Sequence, residues 1–343
     1  MSKLFIASLI VVAVTAGLLF GRFEEKIPCV LTQKPPEFKH EKYYTGVLLD
    51  AHVHMPVSSG IVSAIGKRIG FPGMTSFGGK LTVDSLNCLL KSEGITKTIG
   101  FFMPTTFSLG AEISTVKKAE KKYPGAFAPF LMPAPYQALR ISLQDVRNTL
   151  DNNKDLFRGI GEIKVMDGTR LDNPYFLEMF ELASEYDLLL MMHPFPGDAA
   201  LVKKIVGQYP HVRFLLHGGH DSEWITDVMR EHDNVYYSLD GDIASLYGWN
   251  RQHDTKEPTK EEWLSHVREN FDSMLAEELR FWKPRIEAYP NRFMWGTDRW
   301  YAWHFDREVG DLLEEYGRSF IVRLSPSVQE RFAHENAEKF LKN

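Results

Sequence analysis

Residues 46–54 read Gly-Val-Leu-Leu-Asp-Ala-His-Val-His, and this segment indicates the architecture of the whole chain. It is almost continuously apolar until it ends in two histidines. Similar short runs of Val, Ile, Leu, Phe and Met recur along the chain, separated by amphipathic stretches. Such runs, rather than a strict apolar–polar alternation, are typical of parallel strands buried on both faces. The predicted strands are 46–54, 96–104, 127–134, 157–165, 188–194, 212–219, 235–241 and 293–299.

Helical periodicity fills the intervals between these strands. Residues 81–92 and 174–186 carry apolar side chains at a spacing of three and four, as does 309–316, after which Gly317 is expected to end the helix. Ser325 and Pro326 predict the start of a last helix. Strands alternating with helices predict a (β/α)8 TIM barrel. The alternative, a doubly wound open sheet, predicts a glycine-rich phosphate loop after the first strand, and the sequence has none there.

Two connections are too long to be simple crossovers. Residues 55–79 follow strand 1, and residues 242–291 follow strand 7 and contain Trp249, Trp263 and Trp282. Long βα loops lie at the carboxyl face of a barrel, where active sites are built. We expect these loops to be either surface decoration or, given the tryptophans, a wall or lid of a pocket.

The N-terminus predicts export. Residues 4–20 form an uncharged apolar run between Lys3 and Arg22. Two interpretations of residues 1–23 stay open: a cleaved signal peptide, or an uncleaved membrane anchor, because the run approaches the ~17–20 residues that span a bilayer. Residues 24–45 are expected to form a linker or an arm lying on the domain, and residues 46–343 the barrel, which is then membrane-anchored or periplasmic.

Composition excludes several classes of protein. The 343 residues carry 40 Lys and Arg against 45 Asp and Glu, for a net charge of −5, and 44% are hydrophobic. That is ordinary globular usage, and the mild acidity argues against a nucleic-acid partner. The two cysteines, Cys29 and Cys88, exclude a disulfide framework and do not form a CxxC metal motif.

Histidine and aspartate recur where the predicted strands end. His52 and His54 are two residues apart on strand 1 and therefore share a face. Strand 5 ends at His193, strand 6 at His217 and strand 8 at Asp298. Buried His and Asp are costly unless they are paired or bound to a metal. Their convergence from four strands therefore predicts a metal site at the carboxyl end of the barrel.

The ligand types limit the metal. Imidazole and carboxylate without thiolate favour Zn²⁺, with other divalent transition metals as alternatives. Strand 4 adds Glu162 and Lys164 on one face. Glu162 is expected either to bridge two ions or to form an ion pair with Lys164, so one or two ions are open. Asp298 is a candidate proton acceptor, and His217 is either a general acid or base or a ligand of a second ion.

Several motifs together resemble the amidohydrolase superfamily, in particular its amidohydrolase-related branch of metal-dependent barrel hydrolases. The resemblance implies that His52, His54, His193 and Asp298 hold the metal, with His217 as acid, base or additional ligand. Gly161-Glu162 is similar to the strand-4 motif of the TatD-type branch, in which a glutamate bridges two metals. Members with one metal often lack that glutamate. The motifs are Leu-Asp-Ala-His-Val-His at 49–54, His-Pro at 193–194, His-Gly-Gly at 217–219, Asn-Val-Tyr at 234–236, Gly-Thr-Asp at 296–298 and Glu-Asn-Ala-Glu at 335–338.

The leading functional hypothesis is a metal-dependent hydrolase of a small molecule, acting on an amide, ester, lactone or related bond. The alternative is a metal-dependent decarboxylase of an aromatic or unsaturated carboxylic acid, which the resemblance also includes. A non-catalytic barrel is disfavoured because every expected ligand is present. Arg299 and Trp300 follow Asp298 and are candidate substrate-binding residues. Arg299 would either grip a substrate carboxylate or form a structural ion pair.

Overall fold

A computed structural model describes residues 38–55, 81–106, 108–164, 166–195, 197–218, 223–240 and 258–342. The predicted N-terminal apolar segment, residues 24–37 of the arm, nearly all of the loop after strand 1, and Trp249 lie outside the described residues. Within the described ranges, every helix is too short or too polar to cross a bilayer.

Eight parallel strands form one sheet in the order of the chain, from β1 to β8. The sheet closes on itself where Val53 forms a parallel bridge with Arg299 and the His54 amide donates to the Arg299 carbonyl at 2.9 Å. All eight predicted strands are confirmed, within a few residues at each end. Their bounds are Leu48–His54 (β1), Ile95–Phe102 (β2), Phe127–Leu131 (β3), Gly159–Ile163 (β4), Leu189–Met192 (β5), Phe214–His217 (β6), Val235–Leu239 (β7) and Phe293–Trp295 (β8).

Helices follow the strands and surround the barrel, which confirms the (β/α)8 architecture. Several begin at a residue whose side chain caps the first turn: Thr82, Ser142, Asn173 and Thr259 each accept a backbone N–H. The bounds are Val83–Ser92 (α1), Leu109–Lys122 (α2), Leu143–Asn152 (α3), Pro174–Glu185 (α4), Ala199–Gln208 (α5), Ile225–Glu231 (α6), Lys260–Ala288 (α7), Arg307–Ile321 (α8), Pro326–Glu330 (α9) and Asn336–Leu341 (α10).

The hydrophobic core has two layers. The larger one lies between the strands and the surrounding helices. The smaller one fills the barrel interior with residues such as Ile99, Phe130 and Met191, and is closed by Ala337 and Phe340 of α10. The Asn336 side chain donates to the carbonyl of Phe293, the first residue of β8, at 2.7 Å. The C-terminal helix therefore plugs the amino end of the barrel, and the carboxyl end is left for a site.

One expectation about the helices is wrong. The helix predicted to stop at Gly317 continues to Ile321. Gly317 packs against Trp295, where a Cβ would come within 2.6 Å of the indole nitrogen.

The long segment after strand 7 contains the helix α7, on which Trp263 and Trp282 are buried. The Trp282 ring stacks on Tyr237 of β7 with centroids 5.1 Å apart, which packs α7 on the barrel. The Trp263 ring lies 5.7 Å from that of Trp303.

The described part of the arm, residues 38–46, lies on the outside of the barrel. One carboxylate oxygen of Glu315 on α8 accepts the backbone amides of Lys39 and His40 and lies 2.6 Å from the His40 ring nitrogen Nδ1. The His40 ring stacks on Phe271 of α7 with centroids 3.9 Å apart. The arm is thereby fixed to two outer helices before it enters β1.

Candidate metal centre

Two adjacent groups of side chains lie at the carboxyl ends of the strands. The first group, called the first ligand set, contains His52, His54, Asp298 and one oxygen of Glu162. The Nε2 atoms of His52 and His54 are 3.2 Å apart, and Asp298 Oδ1 lies 3.4 and 3.1 Å from them. Glu162 Oε2 lies 3.9 and 3.3 Å from the same two nitrogens. Four potential ligand atoms therefore surround one point.

The second ligand set contains His193, His217 and the other oxygen of Glu162. His193 Nδ1 and His217 Nε2 are 2.8 Å apart. Glu162 Oε1 lies 2.8 Å from the first nitrogen and 2.7 Å from the second. The structure thus groups His193 with His217, where sequence analysis had expected it to complete the set of His52 and His54.

Glu162 lies between the two sets because of the residue before it. Gly161 has a φ of 133°, which side chains rarely adopt, and a Cβ there would lie 2.5 Å from the Met191 carbonyl oxygen of β5. The absence of a side chain at Gly161 lets β4 and β5 approach closely. Glu162, the next residue, has one carboxylate oxygen facing each set.

Asp240, immediately after β7, contacts one histidine of each set from behind. Its Oδ2 lies 2.9 Å from His52 Nδ1, and its Oδ1 lies 3.1 Å from His217 Nδ1. Asp50 supports the other side: its carboxylate accepts the amide of His52 at 3.1 Å, and the amide and hydroxyl of Thr297 at 3.0 and 2.6 Å. Asp50 thereby ties the end of β1 to the segment that carries Asp298.

The protonation of the site follows from burial and from the neighbouring charges. Burial alone would lower the pKa of His54 and His217, but the Asp298 and Glu162 carboxylates raise that of His54 to about 9, and Asp240 and Glu162 raise that of His217 to about 10. Burial, with Lys164 and His217 nearby, lowers the pKa of His193 to about 3. Burial would raise the pKa of Asp298, but the surrounding histidines hold it well below its usual range. Without metal, the protonated rings of His54 and His217 therefore supply the positive charge between the carboxylates.

The spacing of the first ligand set fits a metal ion. Glu162 Oε2 is fully buried yet has no hydrogen bond of acceptable geometry. Ligand atoms on a tetrahedral ion with bonds of about 2.0 Å lie about 3.3 Å apart, which is close to the separations within the first ligand set. Three groups of described residues have a spacing that could hold an ion: His52, His54 and Glu162; Glu162, His193 and His217; and His52, His217, Asp240 and Asp298.

A known protein family matches most of this chain. The amidohydrolase family profile matches residues 50–342. The chain belongs to the amidohydrolase family. This amidohydrolase is accordingly an enzyme of that superfamily, and the coarse class of its activity is metal-dependent hydrolysis. No curated protein sequence matches it at a significant level.

Solved structures share the fold of this amidohydrolase at low sequence identity. An amidohydrolase from Burkholderia multivorans with bound zinc is 16% identical, over 86% of this chain and 99% of that chain, with a TM-score of 0.53. An uncharacterized TIM-barrel protein from Bordetella bronchiseptica is 15% identical, over 86% and 98% of the two chains, with a TM-score of 0.50. At these identities the likeness supports the barrel fold alone.

The two candidate substrate-binding residues of the amidohydrolase differ in position. Arg299 is fully buried and its guanidinium nitrogens lie 2.8 and 3.1 Å from the carboxylate oxygens of Glu93. It forms the structural ion pair and is not exposed to a substrate. Trp300 is partly buried, and Lys164 Nζ lies 5.9 Å from its ring centroid, so Trp300 keeps a place beside the β4 end of the site.

Asp240 and the role of Asp50 were not predicted from the sequence. Asp50 belongs to the Leu-Asp-Ala-His-Val-His motif, and Asp240 follows β7 as Asp298 follows β8, which is a signal that could have identified it. His304 was also left without a role. Its Nδ1 accepts the Trp300 amide at 3.2 Å, and burial lowers its pKa to about 3, so its ring is neutral and fixes the turn after Asp298.

Proposed function

We propose that this amidohydrolase hydrolyses an amide, ester or lactone bond of a small molecule, using two Zn²⁺ ions held by the two ligand sets. The observation that carries the proposal is the placement of Glu162, with one carboxylate oxygen facing the first set and the other facing the second. A carboxylate in that position is suited to bridging two ions. When bound, such ions lower the pKa of water towards about 7 and polarise a carbonyl.

Asp298 is the candidate acid and base of the reaction. Its side chain is 15% exposed, against 9% or less for the other members of the two ligand sets, so it lies nearest the opening of the barrel. Since its pKa is held low, it is a carboxylate at neutral pH and can accept a proton from water on one of its oxygens. It can then return that proton to the leaving group.

His217 is proposed as a ligand of the second ion. Both of its ring nitrogens are occupied: Nδ1 contacts Asp240, and Nε2 faces His193 and Glu162. Its side chain is fully buried, which leaves no route for proton exchange with a substrate. This arrangement supports the ligand role among the two that the sequence left open.

The pairing of Arg299 with Glu93 supports hydrolysis over decarboxylation. Arg299 was the candidate cation for a substrate carboxylate, and in this ion pair its guanidinium is buried.

The test combines metal analysis with a substrate panel. Purified protein should contain nearly two zinc ions per chain, and a panel of amides, esters and lactones should include a substrate that is hydrolysed without release of CO2. Substituting His52→Ala or Asp298→Asn should lower turnover by at least about 10²–10³-fold, because each removes electrostatic stabilisation of the reacting group. His52→Ala should also lose zinc. Full activity after complete removal of metal, or CO2 release as the only reaction, would overturn the proposal.

A further inference from the structure

Asp240 has an arrangement that the proposed chemistry does not use. Its carboxylate is buried behind both ligand sets and each oxygen contacts a different histidine, one from each set. The contacts are made at Nδ1 of His52 and at Nδ1 of His217, whereas Nε2 of each ring faces the ligand sets.

The contact distances decide which ring nitrogen carries the proton. One Asp240 oxygen lies 2.9 Å from His52 Nδ1 and the other 3.1 Å from His217 Nδ1, where a carboxylate accepts a hydrogen bond from each ring. Both Nδ1 atoms therefore carry the proton. The lone pair that binds a metal is then available only at Nε2, on the side where each set converges.

We propose that Asp240 is a positioning residue that selects the metal-binding tautomer of His52 and His217 and so couples the first ligand set to the second. The proposal rests on the metal dependence proposed above. A single carboxylate orients one ligand of each ion, so each site depends on the same side chain.

Asp240 is a support and not itself a ligand of either ion. Both of its oxygens are already occupied by Nδ1 atoms, on the opposite side of the imidazole rings from Nε2. Asp50 does not share this role, because its carboxylate accepts from the His52 backbone and from Thr297 and contacts neither ring. Among the described residues, the structure thus assigns tautomer selection in both sets to Asp240.

The substitution Asp240→Asn can separate the contact with His52 from the contact with His217. In Asp240→Asn, the amide oxygen can accept a hydrogen bond from Nδ1–H of only one imidazole. The amide N–H₂ group faces Nδ1 of the other imidazole and can only donate to it. That second histidine would accept at Nδ1 and carry its proton at Nε2, where it can no longer bind metal. The substitution should therefore weaken one of the two ions selectively.

The experiment measures zinc binding by competition with a chelator. Asp240→Asn should retain one ion near wild-type affinity and bind the other at least about 10-fold more weakly, whereas Asp240→Ala should weaken both by roughly 10–100-fold, the range for losing such a partner. Glu315→Gln is the matched control, because it changes another buried carboxylate on the outer helix α8, and should leave both affinities unchanged. Two ions bound by Asp240→Asn at wild-type affinity would overturn the proposal.

A second measurement needs no variant. In zinc-loaded wild-type protein, ¹⁵N NMR of the histidine rings should show His52 and His217 protonated at Nδ1. Protonation at Nε2 in either ring would overturn the role of Asp240 even if the variants misfold. If the wild type binds a single ion, the binuclear proposal fails, and the Asp240 role is then tested by whether that ion is weakened in Asp240→Asn. If the wild type binds no ion, both proposals fail.

Discussion

Two clusters of buried charged side chains in this amidohydrolase differ in how their charges are compensated. The metal centre gathers imidazoles and carboxylates that all offer lone pairs to shared points. The second cluster, called the wall cluster, consists of Glu93, Arg299, Glu314 and Arg318 and lies between β8, α1 and α8. There each carboxylate meets a guanidinium: Glu93 with Arg299 at 2.8 Å and Glu314 with Arg318 at 2.7 Å.

The two clusters differ in the partners that surround each buried charge. In the wall cluster, each guanidinium lies beside a carboxyl group of the protein, and Arg318 also donates to the carbonyls of Tyr44 and Gly46 at the base of the arm. In the metal centre, the side chains bring two imidazole nitrogens within 3.2 Å of each other. The clusters therefore differ in what faces each carboxylate: a guanidinium cation in the wall cluster, and imidazoles that can also bind a metal in the metal centre.

The largest effect is expected from changing the bridging carboxylate. Glu162→Gln replaces a charged bridge by a neutral amide, so we expect the loss of one of two bound ions and a fall in hydrolytic turnover of about 10²–10³-fold or more. Metal content and initial rates measure both. The comparison predicts that Glu93→Gln, the same change in the wall cluster, leaves the metal content unaltered. An equal loss of zinc from the two variants would remove the distinction between the clusters.

The wall cluster should instead respond in stability. Arg299→Met leaves Glu93 buried without its cation, and breaking such a pair costs roughly 3–5 kcal/mol. We expect the free energy of unfolding in urea to fall by that amount, while zinc stoichiometry is retained at temperatures where the variant stays folded. A variant as stable as the wild type that no longer turns over substrate would return Arg299 to the role of a substrate-binding residue.

The clusters should also differ in the pH dependence of their contribution to stability. The folded-state pKa values of His54 and His217 are raised to about 9 and 10, above about 6.5 in the unfolded chain, so their stabilisation is complete below about pH 6.5 and is lost as pH rises through 9 and 10. Zinc takes the place of these protons. Metal-free protein should therefore lose more stability between pH 6.5 and 9.5 than zinc-loaded protein does.

Part of this alkaline loss belongs to the wall cluster and should persist with zinc. Burial raises the pKa of Glu314 to about 8 in spite of Arg318, so the protonated carboxyl contributes stability that is lost as pH rises through 8. Glu314→Gln should remove that component in both forms. Urea unfolding at the two pH values measures each part, and an identical decline with and without zinc would contradict the assignment of protons to the metal centre.

The sequence was sufficient for the barrel because each strand is locally marked by a continuous apolar run, as β1 is. The histidines and Asp298 could be placed at one end because polar residues at strand ends converge in a parallel barrel. The division into two ligand sets could not be predicted, because it depends on which way the His193 and Glu162 side chains point. The role of Arg299 also needed the structure, since its partner Glu93 is some 200 residues earlier in the chain and no local spacing connects them.

The plug formed by α10 has a practical consequence for handling the enzyme. Residue 342 follows the helix that closes the amino end of the barrel. A tag, a fusion partner or a surface linkage joined near this position would be separated from the metal ligands by the packed core of the barrel. Immobilised molecules would present their catalytic opening outward, so kinetics recorded on a sensor chip should match those in free solution.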